Sequence, residues 1–209
     1  MTPQAKIDSL AGLYAITPDI DDTATLCAAV KAALEGGAAL VQYRHKTASD
    51  ELRHEQASAL LALCREFSRP LIINDDLALA LVINANGVHL GREDGDWQVA
   101  RAALGPDKIL GVSCYNDLGR AEAAVAAGAD YIAFGAMFAS ATKPQAVHAP
   151  LSLLGEARAL ERPIAAIGGI TLDNAAQVTQ AGAHMLAVIS DVFHAPDIRV
   201  QASRFASLF

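Results

Sequence analysis

The chain has 209 residues, 53% of them hydrophobic and 19% charged, with a formal net charge of −7 at pH 7. That length and balance suit one domain with a full core, and an acidic chain without a basic run excludes an electrostatic footprint for nucleic acid or an anionic membrane. The opening MTPQAKIDSLAG is too polar for a secretory signal, and no later apolar run reaches the roughly 18–20 residues of a membrane helix, so a soluble, cytoplasmic protein is expected.

Short apolar runs rich in strand formers alternate with longer Ala- and Leu-rich stretches of helical spacing, which is the sign of βα units around a parallel sheet. The pattern predicts strands over 13–16, 39–43, 71–74, 87–90, 109–113, 130–135, 163–167 and 185–189. Helices are predicted near 22–35, 50–67, 76–83, 96–104, 117–127, 151–160, 172–181 and 197–207. A Gly-Ala pair closes a helix and opens a strand at Gly37-Ala38, Gly128-Ala129 and Gly182-Ala183, where glycine can take the left-handed conformation of a helix terminus. Eight such units fit a single-domain (β/α)8 TIM barrel spanning 1–209, short beside the typical ~250 residues. A doubly wound open sheet is the alternative, but Thr17-Pro18-Asp19 follows the first strand and no G-x-G-x-x-G occurs.

In such a barrel the chemistry comes from the C-terminal ends of the strands. After strand two, alternation sets Gln42, Arg44 and Lys46 on one side, with Tyr43 and His45 on the other. Inward cations are costly unless an anion fills the mouth, although a pair of surface cations matched by acids is the plainer reading. Strand three ends in Asn74-Asp75-Asp76, a sequence that caps helices as readily as it binds metal. Strand four adds His89 and then Asp94, so carboxylates converge from neighbouring strands, as suits magnesium with a phosphate substrate.

Strand five offers Ser113 as a hydrogen-bond donor. Cys114 lacks an identifiable base, Cys27 and Cys64 read as helix residues, and the three cysteines have no paired spacing for zinc or redox chemistry. His89 and His148 read as structural or surface histidines. The longest irregular segment, 136–150, carries Ser140, Ala141, Thr142 and Lys143 and is either a binding loop or a surface loop. Gly168-Gly169 after strand seven and Ile189-Ser190 at the end of strand eight occupy the customary phosphate position of these barrels.

The ordered series QYRHK, IINDD, GVHLGRED, GVS, FGAMFASATKP, IGGI and AVIS resembles the thiamine phosphate synthases from Leu13 to Ser190. The resemblance implies a transferase that joins 4-amino-2-methyl-5-hydroxymethylpyrimidine diphosphate to 4-methyl-5-(2-phosphoethyl)thiazole, diphosphate leaving first. By matching position, Gln42, Tyr43, Arg44, His45, Lys46, Asn74, Ser113 and Lys143 would hold the pyrimidine diphosphate, with Asp75 and Asp94 as Mg2+ ligands. Ser140, Ala141, Thr142, Gly169, Ile189 and Ser190 would surround the thiazole phosphate, and Arg44, Lys46, Ser113 and Lys143 would carry the catalytic work. The sequence departs from the family's commoner form at His45, where an acid is frequent, and over Ala136–Ala141, which lacks the usual proline and has Ser140 for threonine. A thiazole tautomerase and a non-catalytic binder of thiamine intermediates are the rival readings. The sequence leaves a homo-oligomer open.

Overall fold

Each new strand pairs in parallel with the one before it, and the last returns to the first. This computed structural model describes residues 10–139 and 148–209. The strands are β1 (Gly12–Ile16), β2 (Leu40–Tyr43), β3 (Leu71–Asn74), β4 (Gly87–Leu90), β5 (Ile109–Tyr115), β6 (Tyr131–Phe134), β7 (Ile164–Ile167) and β8 (Met185–Val188). They form a closed barrel in sequence order, so the expected (β/α)8 architecture is the one observed. Outside them lie α1 (Thr23–Glu35), α2 (Asp50–Glu66), α3 (Leu77–Val82), α4 (Trp97–Leu104) and α5 (Leu118–Ala126). The remaining helices are α6 (Ser152–Ala157), α7 (Leu172–Gln180), α8 (Ser190–Phe193) and α9 (Ile198–Ala206).

Two differences from the expected elements have local causes. The strand expected over 109–113 runs on to Tyr115, where a register shift against β6 re-aims its last residues. The helix expected over 151–160 ends at Ala157 and continues as a single 3-10 turn, Arg158–Leu160. The short α8 falls outside the predicted helices, because four residues are too few for a helical period to show.

Helix starts are set by short polar side chains. Asp22, Ser49, Asp76, Asp96, Asp117 and Asp197 each accept a first-turn backbone N–H at α1, α2, α3, α4, α5 and α9. At the other ends, Gly37, Gly128 and Gly182 adopt positive φ, and the alanine after each donates its N–H five residues back, to Ala33, Ala124 and Val178. The repeated Gly-Ala pair is therefore a helix stop that turns the chain into the next strand.

Alternation along the strands divides the apolar residues between two cores. Leu13, Val41, Ile73, Val88, Val112, Ile132 and their neighbours face the helices. Tyr14, Leu40, Ile72, Ile109, Tyr131, Ala165 and Met185 fill the barrel interior. Across β4, β5 and β6 the residues His89, Gly111 and Tyr131 are register partners, and Gly111 supplies the gap through which the Tyr131 ring reaches His89. A Cβ on Gly111 would lie 2.0 Å from Tyr131 Cζ. The two rings stack at a centroid separation of 5.6 Å, and Tyr14 meets Tyr131 edge-on at 5.8 Å.

At the opposite end from the mouth, Asp130 Oδ2 accepts from Arg101 Nη2 at 2.6 Å and from the Leu110 backbone at 2.8 Å, tying α4 to the entries of β5 and β6. Among the described residues no helix is long and apolar enough to cross a membrane. Because the interior is filled around Gly111, Gly111→Ala should lower unfolding stability by about 1–3 kcal/mol, the usual range for overpacking. Urea unfolding measures this, and an unchanged midpoint would show that Tyr131 can move aside at little cost.

Candidate active site

The C-terminal ends of β2, β3 and β4 open into a cleft of about 560 Å3 whose polar lining includes Arg44, Lys46, Arg53, Asn74, Asp75 and Asp94. Arg44 is held from two directions. Its backbone exchanges hydrogen bonds with Thr17 Oγ1 at 2.9 and 3.0 Å, and its guanidinium meets Asp19 Oδ1 at 3.1 Å. Asp19 also accepts from the Lys46 backbone at 3.3 Å, so the loop after β1 shapes the β2 turn while the Lys46 side chain stays in solvent. Tyr43 and His45 turn the other way. Tyr43 Oη donates to Gln56 Oε1 on α2 at 3.0 Å, and His45 Nε2 lies 3.1 Å from Asp21 Oδ1. Both residues nonetheless line the cleft.

Asp75 has φ +62, a left-handed conformation that Asp tolerates better than most residues. Its backbone N–H is fixed to His89 O at 2.8 Å and its carboxylate accepts from Asn74 Nδ2 at 2.6 Å. Asp94 folds back so that Oδ2 accepts the Gly91 N–H at 2.6 Å, and a Cβ on Gly91 would come within 2.7 Å of that oxygen. Asp75 and Asp94 line the same cleft, close enough for their carboxyls to interact. Although Asp75 sits at the exposed rim, loss of water around its carboxyl, and then the interaction with Asp94 and its charge, push its pKa up to about 6, with Lys46 pulling the other way. Asp76 takes no part in that pair and accepts the Leu79 N–H at 2.8 Å as the cap of α3.

Among the described residues no cluster of three or more His, Cys, Asp or Glu side chains is placed to hold a metal. A lone carboxylate pair beside cations is nonetheless the donor set that suits Mg2+, which takes one or two protein carboxylates and completes its shell with water and substrate phosphate.

Gln42 and Ser113 lie deeper, inside the barrel. Ser113 Oγ is 2.8 Å from His89 Nε2, and Gln42 Nε2 is 2.6 Å from Tyr14 Oη. His89 is buried in this polar row, its pKa pushed down to about 4 chiefly by burial, so it is neutral at pH 7. Arg120 on α5 braces both strand ends. Its Nε donates to Ser113 O at 2.8 Å, its Nη2 to Gly91 O at 3.0 Å, and its guanidinium lies 4.5 Å from the Trp97 ring centroid. Burial pushes the Cys114 thiol up to about 12, and its Sγ donates to Val112 O at 3.5 Å, which removes it as a nucleophile. His148 is exposed, Cys64 is buried on α2 and Cys27 half-buried on α1.

Across the barrel, Gly168 and Gly169 have φ of +101 and +62, and a Cβ on either would collide with Ala136 or with Phe138 and Ala139. The glycines let the loop leaving β6 lie directly on the β7 end, where Met137 and Phe138 donate their N–H groups to Ile167 O and Gly168 O at 3.0 Å. Gly169, half-buried Ile189 and exposed Ser190 thus stand at adjacent strand ends. Ser140, Ala141, Thr142 and Lys143 lie outside the described residues. Sequence reasoning missed Thr17, Asp19, Arg53, Arg120, Tyr14 and Tyr131. The first two follow β1 directly, and reading that strand end as closely as the others would have found them.

Paired carboxylates, cations and glycine-lined strand ends stand on one mouth of a (β/α)8 barrel, the end at which enzymes of this fold carry their chemistry. The chain belongs to the thiamine monophosphate synthase family, whose pattern it matches over residues 13–192. It is 61% identical over 201 residues to a thiamine-phosphate synthase of Aromatoleum aromaticum, covering 96% of this chain and 97% of that one. It is 56% identical over 204 residues to the thiamine-phosphate synthase of Methylobacillus flagellatus, with 98% of each chain covered. The solved thiamine phosphate pyrophosphorylase of Pyrococcus furiosus superposes with a TM-score of 0.85 at 34% identity, covering 97% of this chain and 96% of that one.

The perturbed Asp75 has a consequence for folding. Its pKa rises from 3.8 to about 6 on folding, so the proton it favours is held more tightly by the folded state, and stability is lost as pH rises through that window. Asp75→Asn should therefore gain stability relative to the parent between pH 4 and 6 in EDTA. Paired thermal melts across that range test this, and a pH-independent difference would show that the carboxyl is unperturbed.

Proposed function

We propose that the chain is a soluble, cytoplasmic thiamine-phosphate synthase that couples 4-amino-2-methyl-5-hydroxymethylpyrimidine diphosphate with 4-methyl-5-(2-phosphoethyl)thiazole, giving thiamine phosphate and diphosphate. The observation that carries this reading is the Asp75–Asp94 pair facing Arg44 and Lys46 in one cleft, joined to full-length kinship with synthases. A barrel fold alone supports many chemistries, so the reading rests on the site.

The bond from the pyrimidine methylene to the diphosphate oxygen breaks first, its electrons leaving with diphosphate. The thiazole nitrogen then donates its lone pair to the methylene cation, forming the new C–N bond. No protein nucleophile is needed. Arg44, Lys46 and Lys143 stabilise negative charge where it develops on the leaving oxygens, and Asn74 fixes the orientation of Asp75. Asp75 and Asp94 would hold Mg2+, which would supply Lewis-acid neutralisation for the diphosphate. Gly169, Ile189 and Ser190, with the loop hydroxyls of Ser140 and Thr142, receive the thiazole phosphate. A thiazole tautomerase, the rival on the same fold, has no use for the carboxylate pair.

The test is release of diphosphate from both substrates by purified protein, with Mg2+ and then with excess EDTA. Magnesium-dependent release matched by thiamine phosphate is expected, and no product from folded protein would overturn the reading. In the same assay Asp75→Asn and Lys143→Ala should each lower kcat by about 10²-fold or more while leaving the protein folded. Near-normal turnover by both would refute the site. Thermal shift gives a further check, since Mg2+ with diphosphate should stabilise a synthase and leave a tautomerase unmoved.

A further inference from the structure

Five polar side chains from five strands join into one row of hydrogen bonds across the barrel interior. Gln42 Nε2 on β2 is 2.6 Å from Tyr14 Oη on β1, which is 2.7 Å from Tyr131 Oη on β6. Tyr131 Oη is 2.9 Å from His89 Nδ1 on β4, and His89 Nε2 is 2.8 Å from Ser113 Oγ on β5. Tyr14 and Tyr131 are fully buried, Gln42 is 3% exposed and His89 8% exposed, so water cannot replace these bonds.

The donor inventory favours one direction. The Gln42 amide nitrogen can only donate, so Tyr14 Oη accepts from it, and the partner in the row for the Tyr14 hydrogen is then Tyr131 Oη. Tyr131 in turn has His89 Nδ1 as the partner for its own hydrogen. With Nδ1 accepting from Tyr131, the N–H of the ring is on Nε2 and goes to Ser113 Oγ. Ser113 then has its own hydrogen to give, with no acceptor for it among the described residues. Both ends of the row are residues that the synthase reading assigns to the pyrimidine diphosphate. A space-filling role alone would be met by Phe at both tyrosines, with less polar surface to desolvate. Instead Gly111 leaves room for the Tyr131 ring to reach His89.

We propose that Tyr14, Tyr131 and His89 are positioning residues that act as a directional relay, holding Ser113 as a hydrogen-bond donor toward the pyrimidine diphosphate and tying it to Gln42. This rests on the synthase reading for its substrate but not for its polarity. Each bond in such a row polarises the next, so loss of one hydroxyl is felt at Ser113.

Two measurements test the relay. In the ¹⁵N–¹H side-chain spectrum, with His89 assigned by its loss in His89→Gln, the resting protein should show the neutral Nε2–H tautomer at pH 7. Tyr131→Phe should mix the tautomers. A dominant Nδ1–H form in the parent would overturn the polarity. In turnover, Tyr131→Phe should lower kcat/KM for the pyrimidine diphosphate about tenfold, yet cost less than about twofold once Ser113 is already alanine. Losses that simply add would mean that Tyr131 does not act through Ser113. Should Tyr131→Phe fail to fold, Tyr14→Phe takes its place in the same cycle. If the parent itself shows no turnover, the synthase reading falls, and the tautomer alone decides the relay.

Discussion

Inside a closed barrel an inward polar side chain has no sheet edge and little water to turn to, so its partner must come from another strand. In this chain that requirement is met by a row that crosses from β2 to β5 by way of β1, β6 and β4. Around it the interior is apolar, from Leu40 and Ile72 to Ala165 and Met185. The polar row therefore divides a dry barrel from a charged mouth. The groups above it act from a rigid base, because the residues beneath cannot shift without leaving a buried hydroxyl or imidazole unpaired.

The mouth is organised by repulsion as much as by attraction. Asp75 and Asp94 are brought together by backbone constraints, the positive φ of one and the close approach of the other to Gly91. The charge of Asp94 makes ionisation of Asp75 harder, and a cation relieves that conflict. Arg120 stands behind them without touching the cleft, and by bonding Ser113 O and Gly91 O it keeps the β4 and β5 ends in fixed relation. Thr17 and Asp19 do the same for the β2 turn. Much of the charged site is thus held by partners on other elements.

Much of this is legible in the sequence. Strand ends can be read because apolar runs stop there and polar residues begin, and that pattern alone sets Arg44, Lys46, Asn74, Asp75 and Asp94 at one rim. The side-chain period of two correctly turns Tyr43 and His45 away from Arg44 and Lys46. The relay is not legible. Tyr14 and Tyr131 sit in apolar strands and look like any aromatic core residue, and His89 looks like a lone histidine, because only the cross-barrel register brings them together. Asp76 illustrates a different limit: adjacent acids read alike, and only the backbone geometry separates the cap of α3 from the half of a carboxylate pair.

Gly111 occupies the position where a side chain and the Tyr131 ring cannot coexist. Any residue with a Cβ there calls for a smaller neighbour at 131, and a smaller neighbour at 131 strands His89 Nδ1 and the Tyr14 hydroxyl. Each change carries a cost alone, and together they still leave two further positions to repair. In the space of mutational paths this glycine is a latch: the interior of the barrel is rewritten more readily as a block than by one-step drift.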